Sequence, residues 1–149
     1  MKITVKKGSL ADVKTEAFIL AFCEGEKTLS GPAADIDQKS GGLLSDIIKS
    51  GDFAAKASEA LMIYTRGAVP AKRIALVGLG KKSELNLEKI RRAYAKAMQH
   101  LRGLKVKEAA TVFDADLLPD QKEKVVAAIA EGASLGLYQY TPYKTVGRE

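Results

Sequence analysis

Carboxylates fall in two close pairs, Asp35 with Asp37 and Asp114 with Asp116, and each pair could lend oxygens to a hard cation. Calcium takes six or more oxygens, yet neither pair has a third ligand or EF-hand spacing beside it. Caps and turns are the expected use of all four. Gly78-Leu79-Gly80-Lys81-Lys82-Ser83 has the glycines and cations of a phosphate loop, placed where a strand should end and a helix begin. Its third glycine position is Ser83, and the spacing fits neither the dinucleotide fingerprint nor a Walker A loop. A glycine-bearing turn is the expected reading. No Gly-x-Ser-x-Gly elbow occurs, and Ser30, Ser40, Ser45 and Ser50 stand in turn or cap contexts away from His100. This single histidine, near the end of a predicted helix, suits a solvated or C-cap role. Cys23 follows an apolar run and reads as a buried thiol rather than a nucleophile. Lys89, Arg92 and Lys96, with Lys81, Lys82 and Arg91 nearby, could track the phosphates of a nucleic acid. They lack interleaved aromatics for stacking, so a solvated helix face is expected.

These groups must be positioned by one core, since 149 residues fit a single domain. With 46% hydrophobic and 28% charged residues the chain can bury such a core, and its net charge of +6 raises the question of an acidic partner. One cysteine excludes an internal disulfide and points to an intracellular setting. No stretch approaches the roughly 18 consecutive apolar residues of a membrane span, and Met1 to Gly8 lacks the apolar centre of a signal peptide. A cytoplasmic protein without membrane contact is expected.

Alternation over Lys2 to Lys6 predicts a half-buried strand, and Ala17 to Phe22, apolar throughout, predicts one covered on both faces. Pro32 to Ser50 reads as two short helices or one helix broken at Gly41-Gly42. Leu61 to Thr65 and Arg73 to Leu79 flank Gly67 and Pro70, which predicts a hairpin and therefore a mixed sheet. Asn86 should cap a helix with Leu87, Ile90, Tyr94, Met98 and Leu101 on one stripe and Gly103 as its stop. Ala109 to Phe113 should be a further buried strand. Pro119 should open a last helix with Val125, Ile129, Gly132 and Gly136 along one side, where the glycines imply a close neighbour. Strands alternating with helices imply a three-layer α/β/α sandwich around a mixed sheet. Thr141 to Glu149 is polar, with Pro142 and Gly147, and reads as an exit.

The run Arg73-Ile74-Ala75-Leu76-Val77-Gly78-Leu79-Gly80-Lys81, followed by Leu87-Glu88-Lys89-Ile90-Arg91-Arg92-Ala93, resembles the N-terminal domain of leucine aminopeptidases, also called cytosol aminopeptidases. Glu131-Gly132-Ala133-Ser134-Leu135-Gly136-Leu137-Tyr138, then Tyr143-Lys144, is similar to that domain's last helix and the start of its connection to a catalytic domain. The likeness runs from the opening strand to Thr145. It implies a macro-domain-like fold, with residues 1–140 as the non-catalytic domain and 141–149 as the start of a linker. It also implies a following two-metal exopeptidase domain, holding Mn or Zn, that releases N-terminal residues from peptides. The family's Asn-Thr-Asp-Ala/Gly-Glu-Gly-Arg type segment does not occur in these residues, so no catalytic, cofactor or metal residue is carried over. The role implied is support: packing on the catalytic domain, contribution to a homohexamer and, in some members, DNA binding. Gly132 and Gly136, with Tyr138, Tyr140 and Tyr143, suit such contacts. Alternatives are a stand-alone macro-type module holding ADP-ribose or a related nucleotide, with Gly78 to Ser83 near the diphosphate, and DNA binding through the basic helix face.

Overall fold

The computed structural model of the chain describes residues 3–4, 8–26, 28–112 and 117–137. Its sheet is organised by strand β1 (Ala17–Phe22), which is apolar at every position. Alternation sends Phe18, Leu20 and Phe22 into one core and Ala17 and Ile19 into another on the opposite face. Strands β2 (Ala60–Tyr64), β3 (Arg73–Gly78) and β4 (Ala109–Thr111) complete the order β2-β3-β1-β4. β1 runs parallel to β3, from Ala17 opposite Arg73 to Phe22 opposite Gly78, and parallel to β4. β2 is antiparallel to β3, so the expected hairpin and mixed sheet are both present.

Helices α1 (Gly31–Lys39) and α2 (Leu43–Ser50) cover the first core with Ile36 and Leu44. Gly41 and Gly42 between them lie at φ 70° and 90°, a left-handed pair that breaks the helix in two. α3 (Leu87–Gly103) covers the second core with Ile90, Tyr94 and Leu101, and the Asn86 side chain accepts its Lys89 N–H at 2.9 Å, as a cap should. α4 (Lys122–Leu137) follows a short 3-10 turn, Pro119–Gln121, and packs along α3. The result is the expected three-layer α/β/α sandwich.

Some local expectations are corrected, sharpened or fall outside the described residues. Among the described residues β4 is three half-buried residues at one end of the sheet, where a fully buried run was expected; Phe113 lies outside the described residues. Of the strand predicted over Lys2 to Lys6, only Ile3 and Thr4 are described; neither is in a strand, and Ile3 is 51% exposed. Gly103 does not stop α3 but belongs to it. The left-handed residue is Lys105, at φ 61°, after which the Val106 N–H returns to the Leu101 carbonyl at 3.0 Å. Gly132 and Gly136 do have a close neighbour, but it is α3 of the same chain, not a partner. Tyr138, Tyr140, Tyr143 and the expected exit over Thr141 to Glu149 lie outside the described residues.

The α3–α4 approach is tight enough to dictate residue type. A Cβ on Gly132 would stand 2.3 Å from the Arg91 carbonyl oxygen, and one on Gly136 would stand 2.4 Å from that of Ala95. Backbone cannot yield as a flexible side chain does. Gly103, on α3, has nothing within 4 Å of such an atom. Gly132→Ala should therefore destabilise the chain by about 2 kcal/mol, overpacking outweighing the gain in helix propensity. Gly103→Ala should stabilise it by up to about 1 kcal/mol. Urea denaturation of both variants beside the parent checks the opposite signs; a Gly132→Ala protein as stable as the parent would contradict the contact.

Candidate functional site

The Gly78 to Ser83 loop leaves the carboxyl end of β3, where free peptide N–H groups would be needed to hold a phosphate. They are already used. The Gly78 N–H bonds the Glu59 carbonyl at 2.8 Å, the Leu79 N–H bonds that of Phe22 at 2.8 Å, and the Gly80 N–H bonds that of Ala55 at 3.0 Å. In return the Gly78 and Gly80 carbonyls accept from the N–H groups of Ser58 and Glu24. A Cβ on Gly78 would lie 2.0 Å from the Lys56 carbonyl oxygen, and Gly80 sits at φ 79°. The glycines thus let segment 55–59 lie against the end of the sheet. The turn reading holds for Gly78 to Gly80, whose N–H groups are held within the fold and are not free to cradle a diphosphate. Lys81, Lys82 and Ser83 are exposed beyond it.

The basic face of α3 is laced with carboxylates. The Arg91 Nε–H donates to Glu131 on α4 at 2.8 Å, and its Nη1 lies 3.3 Å from Glu88. The hydrogen bond to Glu131, above all, raises the Arg91 pKa beyond its already high ordinary value, so the guanidinium stays charged. Arg92 meets Glu88 at 3.1 Å and Lys89 approaches Glu84 at 3.7 Å. Three of the six cations expected to track phosphates therefore face carboxylates of their own chain; Lys81, Lys82 and Lys96 are exposed.

Asp37 is a cap, as expected: its carboxylate accepts the Ser45 N–H at 3.0 Å and the Ser45 hydroxyl, tying the start of α2 to α1 across the glycine break. Asp35 is exposed, and Asp114 and Asp116 lie outside the described residues. The Ser40 and Ser50 hydroxyls donate to the carbonyls of Ile36 and Ile47 in their own helices, while Ser30 is the N-cap of α1. His100 is exposed in the last turn of α3, and Cys23 is buried in the second core. Among the described residues, no three His, Cys, Asp or Glu side chains stand together as a metal site would require.

A crevice of about 230 Å³ outside the carboxyl end of β1 was not foreseen. Its polar lining is Glu26, Thr28, Ser30 and Tyr94, and the Tyr94 hydroxyl is engaged with the Thr111 hydroxyl at 3.1 Å. Such crevices arise where neighbouring parallel strands send their following helices to opposite faces, as β1 does with α1 and β4 with α4. Only the strand order, which local sequence pattern does not supply, could have located it.

Comparison with known proteins places this geometry. The description "Cytosol aminopeptidase family, N-terminal domain" matches residues 19–146. A probable cytosol aminopeptidase of Roseiflexus castenholzii is 39% identical over 145 residues, which cover 97% of this chain and 27% of that protein. The chain spans less than a third of the length of such relatives. Among solved structures, the macrodomain of Mycobacterium tuberculosis DarG superposes with a TM-score of 0.72 at 16% identity, covering 89% of this chain and 90% of that one. A mutant of tomato leucine aminopeptidase superposes at 0.70 with 22% identity, covering 90% of this chain and 27% of that one. Both structures share the fold; the sequence match decides between them, and the chain belongs to the cytosol aminopeptidase family as its N-terminal domain.

Proposed function

We propose that this chain is a non-catalytic support for a cytoplasmic aminopeptidase, which hydrolyses the first peptide bond of a peptide with machinery located outside these residues. Residues 1–140 form the supporting domain and 141–149 begin the connection to a catalytic domain. That domain holds two divalent metal ions, Mn or Zn, and the assembled enzyme is a homohexamer. The observation that carries this reading is the length relation: the chain matches under a third of relatives that are named as cytosol aminopeptidases. The state of its polar groups agrees with it. Asp37, Ser45, Glu88 and Glu131 hold helices in place instead of facing an open site. Two bridging metals need several carboxylates a few Å apart, and the described residues do not fit such a centre, so no catalytic step is routed through a metal here. No helix among the described residues is long and apolar enough to cross a membrane.

Incubated with leucyl p-nitroanilide and Mn²⁺ or Zn²⁺, the purified 149-residue chain should release no nitroaniline above the metal blank. Turnover that co-purifies with the chain would overturn the assignment. Calorimetric titration with ADP-ribose should likewise give no heat of binding, since the Gly78 to Gly80 N–H groups are engaged within the fold. Saturable heat at micromolar ligand would favour a nucleotide-binding module instead.

A further inference from the structure

Strand β2 forms one margin of the sheet and has no strand on its outer side among the described residues. The Thr65 N–H bonds the Lys72 carbonyl at 3.0 Å and the Gly78 N–H bonds that of Glu59 at 2.8 Å. Residues 59, 61, 63 and 65 therefore turn their peptide groups toward β3, and by antiparallel alternation those of Ala60, Met62 and Tyr64 point outward. Edge strands usually discourage further pairing with a charge, a proline or a bulge. Ala60-Leu61-Met62-Ile63-Tyr64 has none of these, and its register against β3 is unbroken.

The strand leads into a rigid, cationic turn. The Ala68 N–H closes on the Thr65 carbonyl at 3.1 Å with Arg66 at φ 54° and Gly67 at φ 84°. Both central residues are left-handed, a geometry that suits Asn-Gly and strains an arginine. Thr65, 4% exposed, locks the loop by donating its hydroxyl to the Ala71 carbonyl. Tyr64, Arg66, Gly67 and Lys72 line a concavity of about 450 Å³, and Tyr64 is 59% exposed. Arg73, opposite Tyr64, sets its guanidinium 5.3 Å from the ring centroid, while its Nε is buried without a hydrogen-bond partner. The ion pairs found among the described residues include none of Arg66, Lys72 and Arg73, in contrast to the laced cations of α3.

We propose that this margin is a docking site for an extended acidic segment of a partner protein, which pairs as an added strand outside β2 and sets carboxylates against Arg66 and Lys72. The two halves of the site call for one occupant. Outward peptide groups of Ala60, Met62 and Tyr64 want a polypeptide backbone, and unpaired cations at its end want negative side chains. A nucleic acid would satisfy the cations and leave the strand edge unused.

The test titrates a fluorescein-labelled peptide of alternating Glu and Val or Thr into the 149-residue chain and reads anisotropy. Comparators are the same peptide with Lys in place of Glu, the acidic peptide N-methylated on alternate residues, and a single-stranded oligothymidine of equal charge. The acidic peptide should bind and the lysine peptide should not; N-methylation should weaken binding at least tenfold, and the oligothymidine should bind more weakly than the peptide. Lys72→Glu should weaken binding about tenfold with unchanged circular dichroism. Arg66→Asn, which suits the left-handed backbone, should melt no lower than the parent and still lose affinity. No binding of the acidic peptide, equal binding after N-methylation, tighter binding of oligothymidine, or no response to both variants would each overturn the proposal.

Discussion

A single strand paired along both edges and buried on both faces sets the terms for everything around it. β1 is apolar throughout and buried at every position but Ala21, so each of its faces must be roofed by helices. Phe18, Leu20 and Phe22 on one face each contribute roughly 1.5–3 kcal/mol when fully buried, so exposing that face would cost a sum comparable with the stability of an ordinary domain. The crossovers follow from this. The connection from β1 must pass over one face with α1 and α2, and that from β3 must return over the other with α3. α4 then lies against α3 at backbone distance, which is where the two glycines become necessary.

The same economy explains why residues with catalytic potential are occupied by structure. At the carboxyl ends of the parallel strands, where folds of this kind place ligands, the peptide groups of Gly78, Leu79 and Gly80 bind segment 55–59 and β1. Asp37 bridges the two halves of a broken helix, and Glu131 joins α4 to α3 through Arg91. Each of these bonds stabilises the fold modestly, on the order of 1 kcal/mol for a typical hydrogen bond. Their consequence for chemistry is larger, because a donor held by its own chain is not available to a substrate.

Much of the architecture was legible because it rests on local pattern. The doubly apolar β1, the hairpin, the glycine break between α1 and α2, the Asn86 cap and the buried stripe of α3 are each written in one continuous local stretch of sequence. What was not legible depended on partners distant in sequence. β4 was read as buried because Ala-Ala-Thr-Val-Phe is largely apolar, whereas Ala109 to Thr111 are half-buried at the end of the strand order among the described residues. Gly103 was a plausible helix stop, yet the chain reverses two residues later at Lys105, where the local main-chain closure of Val106 onto Leu101 and of Lys105 onto Arg102 forms around a non-glycine residue. The glycines of α4 announced a close approach without saying whose backbone approached. The crevice by β1 and the cationic turn by β2 were unforeseen for the same reason: neither exists until the strand order is fixed.

Fold and function part company in the comparison with solved structures. A macrodomain and an aminopeptidase superpose on this chain almost equally well, at 0.72 and 0.70, though their names denote different proteins. Architecture alone cannot choose between them. Residues can, in two ways that do not depend on each other. The family match follows the sequence from Ile19 to Val146, most of the chain, and so records shared descent rather than shared packing. The hydrogen bonds at Gly78 and Gly80 record what these two glycines do with their donors, which is to bind segment 55–59 rather than a phosphate. Descent names the family, and donor occupancy shows that Gly78 to Gly80 spend their N–H groups on the fold itself.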